Sequence, residues 1–292
     1  MTPHPDSAWL DVQYNNRARI PDHAAIFERW RRASEMTRAQ SLCHLDLAYG
    51  DASGDASGEA SGEALDVFPT QAAKAPVLVF IHGGYWRSLD KADHSFVAAS
   101  FVAEGAQVVI PNYALCPAVS IEQIVMQTVR ALVWVYRNAA SYGGDPQRIV
   151  VAGHSAGGHL AAMLLCCQWK RLGRDLPARL VKGALSISGV HDLAPLLHTP
   201  FLQDDLRLSP AWVDKLSPAC LPAPKGPLYA VAGALESEEF LRQNELIGQA
   251  WGGKSVPVCE QIAGRHHLDI LHDLADPEGR IHVLTKQLLG LD

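Results

Sequence analysis

The sequence predicts an α/β protein, with a mostly parallel central sheet and helices on both faces. Three observations predict it. Short apolar runs rich in β-branched residues, such as APVLVFI (75–81) and QRIVVAG (147–153), alternate with longer helical patterns. These runs are apolar at successive positions, as strands covered on both faces require. The chain has 292 residues, 48% hydrophobic and 19% charged, enough to build one large core. A single domain spanning 1–292 is therefore expected. The net charge of −6 disfavours a nucleic-acid partner. No apolar run approaches the roughly 20 residues that span a bilayer, so no membrane association is expected. The first residues lack the continuous apolar stretch of a secretory signal. Six cysteines, Cys43, Cys116, Cys166, Cys167, Cys220 and Cys259, form no C-x-x-C pair. Scattered thiols of this kind read as free cysteines in a cytoplasmic setting.

The elements follow in order. Residues 1 to about 40, including HAAIFERWRRASEM, read as an N-terminal helical extension. Residues 51–64, DASGDASGEASGEA, repeat an acid, Ala, Ser and Gly. With no large apolar residue to bury, this segment reads as a flexible surface insertion. APVLVFIHGG (75–84) is a strand running into glycines, and SFVAASFVAEG (95–105) a helix with a Gly stop. AQVVIPNYAL (106–115) is a strand, and 120–144 a helix with a Ser start and a Gly-Gly end. QRIVVAG (147–153) is a strand, and SAGGHLAAMLLCCQW (155–169) a helix. Strands at 181–189 and 226–233 precede a Ser-capped helix at 237–253, a last strand at 256–264 and a final helix at about 277–289. Ligand sites in such sheets gather at the carboxyl ends of the strands, so the turns after 82, 153, 188, 233 and 264 carry the functional information.

Gly153-His154-Ser155-Ala156-Gly157 fits G-x-S-x-G between a strand and a helix, the context a nucleophile turn requires. Such a turn strains the serine and stands its hydroxyl clear of the sheet, while the helix start behind it favours developing negative charge. The bland alternative is a Gly-rich turn with serine as a helix cap. A second loop, His82-Gly83-Gly84-Tyr85-Trp86, follows an earlier strand. Its glycines let backbone N–H groups turn into a cleft, and acyl transfer needs such donors for the oxyanion. The N–H of Gly83 or Gly84, with that of Ala156, are the expected donors. His82 and His154, beside the turns, read as structural. A base is expected late in the chain: His266 and His267 lie in the loop after the last strand, whereas His272 and His282 read as surface residues of helices. The acid is expected after the strand at 226–233, where Glu236 precedes a helix whose first turn holds Glu238 and Glu239. Asp192, one strand earlier, is the rival. Tyr85 and Trp86 either wall an aromatic site or pack into the core.

With these residues in place, the chain resembles the α/β-hydrolase fold, and within it the arylformamidase (kynurenine formamidase) serine hydrolases. The resemblance rests on HGGYWRSLDK (82–91), GHSAGGHLAAMLL (153–165), ISGVHDLAPL (187–196), ESEEFLRQ (236–243), HHLDIL (266–271) and YNNRARIPDH (14–23). It implies Ser155 as nucleophile, His267 as base and Glu236 as acid; the animal enzymes place an aspartate at that last position, so glutamate is a departure. It also implies a small-molecule substrate, an acyl amide such as N-formylkynurenine or alternatively a short ester. No metal or organic cofactor is needed, and no H-E-x-x-H ligand pattern occurs. A non-catalytic binding protein on the same fold would be expected to lack a member of this set. Oligomeric state is not legible.

Overall fold

The computed structural model describes residues 6–50 and 62–291. Most of the 51–64 repeat lies outside the described residues. Three helices open the chain where one was expected: α1 (Ser7–Tyr14), α2 (Asn16–Arg19) and α3 (His23–Gln40). Two strands follow, β1 (His44–Ala48) and β2 (Ala64–Phe68), then β3 (Ala75–Ile81), α4 (Ala98–Ala103) and β4 (Gln107–Pro111). Next come α5 (Ile121–Asn138), β5 (Gly144–His154), α6 (Ala156–Cys166) and β6 (Val181–Ile187). Two short helices, α7 (Pro200–Leu206) and α8 (Pro210–Leu216), precede β7 (Leu228–Gly233) and α9 (Glu238–Ser255). The described chain closes with β8 (Val258–Ile262), α10 (Ile270–Ala275) and α11 (Arg280–Leu289).

The eight strands form one sheet in the order β1-β2-β4-β3-β5-β6-β7-β8. From β4 to β8 all neighbours are parallel; β2 pairs antiparallel with β4 and with β1. Continuous apolar runs serve both faces at once. In β3, Val77, Val79 and Ile81 join one core with α5, α6 and α9, while Leu78 and Phe80 join the other with α3, α4 and α11. In β5, Ile149 and Val151 divide from Val150 and Ala152 in the same way.

The antiparallel strands β1 and β2 do not stand out as apolar runs. β1 is mostly exposed, and β2 carries an acid at its centre. That acid, Asp66, is buried because Lys91 Nζ lies 2.8 Å from its carboxylate and the Asp46 amide donates to it at 2.9 Å. A buried charge is tolerable only with such partners, and these come from distant parts of the chain. His282, expected on the surface, is fully buried and stacks on Phe101 with ring centroids 4.2 Å apart. Its two ring nitrogens face the Leu274 carbonyl and the Glu104 carboxylate, which make burial of a polar ring possible.

Register aligns the strand ends. Ile81 on β3 lies opposite Gly153 on β5, and Gly153 opposite Ser186 on β6. The chain leaves β3 toward β4 on one side and returns to β5 on the other, which makes the β3/β5 edge a topological switch point. A crevice opens at such a point because the two loops leave in opposite directions.

Candidate active site

Ser155 sits at the tip of the β5–α6 turn with φ 57° and ψ −116°, a strained conformation for a residue with a side chain. The flanking glycines permit that turn. A Cβ on Gly153 would lie 2.1 Å from the Gly157 carbonyl oxygen, and one on Gly157 would lie 2.0 Å from that of Ile81. No side chain fits at either distance, so the motif is a packing requirement between β5, α6 and β3. Ser155 is 2% exposed and makes no side-chain cap to α6, which removes the capping alternative. Ala156 is the first residue of α6, so its amide has no intrahelical partner.

The loop after β3 closes on this turn. A Cβ on Gly83 would be 2.8 Å from the His154 carbonyl and 3.1 Å from Ser155 Cβ, so the glycine backbone lies directly beside the serine. Gly84 adopts φ +103°. Two buried rings brace the loop. His82 Nδ1 lies 2.8 Å from the Gly83 carbonyl and its Nε2 lies 2.9 Å from Asn112 Oδ1; the Tyr113 hydroxyl donates to the His82 carbonyl at 3.0 Å. His82 therefore acts as scaffold, as its position beside the turn implies.

Glu236 follows β7 and is 8% exposed. One carboxylate oxygen accepts from the Ser188 hydroxyl at 2.5 Å and from the Gly233 amide at 2.7 Å. The other lies 2.6 Å from Nδ1 of His267, itself 4% exposed in the loop between β8 and α10. A carboxylate only accepts, so Nδ1 carries the proton and the lone pair resides on Nε2. His154 Nε2 donates to the His267 carbonyl at 2.7 Å, and the two rings pack 4.8 Å apart. Burial pushes the His154 imidazole well below its ordinary pKa, the nearby His267 ring adding to the effect, so it stays neutral as a strut. Ser155 and His267 line one cavity. Among the described residues no hydrogen bond joins Ser155 Oγ to His267.

The rival assignments separate cleanly. Asp192 accepts from the Ala194 amide at 3.0 Å and faces the Arg242 guanidinium at 3.4 Å. The His266 amide and ring are engaged with Asp269 and Leu268. Glu239 accepts from the Tyr14 hydroxyl at 2.7 Å and pairs with Arg242. Tyr85 lines the cavity and donates to the Tyr14 carbonyl at 2.6 Å. Of the two places open to Trp86, it takes the core: it is fully buried, edge-on to His159 at 5.0 Å.

The cavity that Ser155 and His267 share is small, about 70 Å³. Its outer wall consists of residues that sequence patterning did not single out: Arg17, Phe27, Trp30, Arg87 and Phe201. They come from α2, α3, the loop after β3, and α7. Arg17 and Arg87 fall within segments that carry the family resemblance, but nothing local assigns any of the five to this wall, because separate segments must fold over the strand ends to bring them together.

A single sheet with this topology, a strained serine elbow and a carboxylate-held histidine define the class. The chain belongs to the α/β hydrolases. The BD-FAE family model matches residues 65–200. The chain is 29% identical to the kynurenine formamidase of Danio rerio over 267 residues, covering 88% of this chain and 85% of that protein. It is 41% identical to the carboxylesterase NlhH of Mycobacterium tuberculosis over 110 residues, 37% of this chain and 33% of that one. A solved structure of a putative thioesterase from Silicibacter sp. superposes with a TM-score of 0.80 at 30% identity, covering 94% of this chain and 97% of that one. Within its class the protein is an arylformamidase-like serine hydrolase enzyme.

Proposed function

We propose that this enzyme removes a formyl or similarly small acyl group from an aryl amide such as N-formylkynurenine. The observation that carries the chemistry is the Glu236–His267 pair at 2.6 Å on the cavity that also holds the strained Ser155. The similarity to kynurenine formamidase over most of the chain supports the substrate class.

In this reading His267 Nε2 takes the Ser155 proton as the oxygen attacks the acyl carbon. Glu236 holds the imidazole in the required tautomer and stabilises the imidazolium. The backbone amides of Gly83 or Gly84 and of Ala156 receive the oxyanion, at the start of α6 where negative charge is favoured. The imidazolium then protonates the leaving nitrogen as the C–N bond breaks. Water, deprotonated by His267, attacks the acyl-serine; the acyl–oxygen bond breaks as His267 returns the proton to Ser155, releasing the acid, formate for a formyl substrate.

Hydrolysis of short esters is the second reading, supported by the partial match to a carboxylesterase. The kcat/KM values for N-formylkynurenine and p-nitrophenyl acetate decide between them. A formamidase favours the former, and an enzyme that turns over only the ester overturns the proposal.

A further inference from the structure

We infer that Arg17 makes the mouth of the Ser155 cavity a selector for aryl substrates bearing an anionic substituent, a carboxylate being the simplest. The inference rests on the reading that this cavity is the catalytic one.

The charge balance of the wall comes first. The chain carries a net charge of −6, yet the acid-base side chains lining this cavity are two arginines, two histidines and Tyr85, with no carboxylate. Glu236 stands behind His267 with its oxygens already bonded to Ser188, Gly233 and His267. Arg87 is compensated, since it donates to Asp205 and, at 2.9 Å, to the Phe201 carbonyl. Arg17 is not. Its guanidinium donates to the neutral Ser88 hydroxyl at 3.3 Å, and among the described residues it forms no ion pair. Partial burial, with Arg87 nearby, lowers its pKa from the ordinary arginine value. An arginine remains charged even so. The result is one uncompensated cation, on an exposed side chain, at the mouth of the Ser155 cavity.

Shape adds the second half. Each guanidinium stands by an aromatic ring, Arg17 with its Cζ 5.4 Å from the Phe27 ring centroid and Arg87 5.3 Å from that of Phe201. Both rings line the same cavity as Ser155. Phe27 and Phe201 offer apolar faces to an aryl group, and the guanidinium beside Phe27 offers planar N–H donors to an anion attached to it. The tie from Arg17 to Ser88, whose hydroxyl donates to the Gly84 carbonyl at 3.0 Å, fixes the cation relative to the loop beside Ser155. Because the contact forms in ground state and transition state alike, it acts through KM more than kcat.

The test compares charged and neutral pairs in two series: 4-formamidobenzoate against formanilide, and 4-acetoxybenzoate against phenyl acetate. The wild-type enzyme is expected to favour the carboxylate in whichever series it hydrolyses. Arg17→Met is expected to reduce that charged-to-neutral ratio of kcat/KM by about 10- to 100-fold, with the change in KM, and Arg17→Lys to restore part of it. Rising salt should erode the wild-type preference. Calorimetric binding of 4-formamidobenzoate and formanilide to Ser155→Ala protein gives the same ratio without turnover. A ratio near unity in the wild-type enzyme and in Ser155→Ala, or one unchanged by Arg17→Met, overturns the inference. Turnover of esters with no turnover of formyl amides defeats the formamidase reading alone, and the ester pair then judges Arg17.

Discussion

At the residue scale, the site is decided by which oxygen each histidine nitrogen meets. His267 meets a carboxylate at Nδ1, and His154 meets a carbonyl at Nε2. In the proposed mechanism the first transfers the proton and the second supports it. Ser155→Ala is expected to lower kcat on the order of 10⁵- to 10⁶-fold with an unchanged circular dichroism spectrum. Glu236→Ala is expected to cost about 10⁴-fold, as loss of the orienting acid does in comparable triads. Asp192→Ala should stay within a few-fold of wild type, because Asp192 caps Ala194 and faces Arg242 instead of the histidine. Steady-state kinetics on all three variants checks the assignment; a larger loss in Asp192→Ala than in Glu236→Ala overturns it. The glutamate departs from the aspartate expected at this position. Its longer arm is fixed at the far end by Ser188 and Gly233, so the extra methylene adds no slack.

At the element scale, the β5–α6 turn works because three backbones pass without side chains between them. Gly157→Ala would drive a methyl group to 2.0 Å from the Ile81 carbonyl on the central strand β3. A destabilisation of about 3 kcal/mol or more is expected, read from the urea midpoint at unchanged m-value. Gly253 follows Gly252, where α9 kinks out of helical geometry; it has no positive φ itself, and a methyl group added there would meet nothing within 4 Å. Gly253→Ala is therefore expected to be neutral or to stabilise by up to about 1 kcal/mol. Two substitutions of one chemistry thus separate by their surroundings alone.

At the scale of the whole molecule, buried neutral histidines tie the fold to pH. Burial holds His94 and His191 down to about 3 and His159 to about 4; His94 also feels His82, and His191 feels His159. The unfolded chain titrates these rings near 6.5, so below that pH it binds protons that the folded protein refuses. Stability is therefore full above about pH 6.5 and falls as pH drops toward 4. The expected slope is roughly 1.4 kcal/mol per pH unit for each ring once well below 6.5. Urea unfolding from pH 7 to 4.5 measures it. His191→Asn should flatten the slope by about one proton's worth, whatever it does to stability at neutral pH; an unaltered slope contradicts the account.

The sequence alone determined the layered α/β architecture, because runs apolar at every position have no stable place except between two helical layers. It also pointed to the Ser155 turn and the Gly83-Gly84 loop, because a side chain on Gly157 would put its Cβ 2.0 Å from a neighbouring carbonyl and one on Gly83 would put it 2.8 Å away, which leaves glycine as the residue that fits, and glycine is visible in a sequence. Chain order narrowed Glu236 and His267 to a few neighbours and only the family resemblance chose among them, since Glu236, Glu238 and Glu239 look alike until one of them meets a ring. Tertiary structure decided what depends on contact between distant segments. It buried Asp66 against Lys91 and His282 against Phe101, moved Trp86 into the core, and closed Arg17, Phe27 and Phe201 over the serine. Periodicity reports which face of an element is apolar; it carries no record of which other element that face, or a single charge upon it, will come to touch.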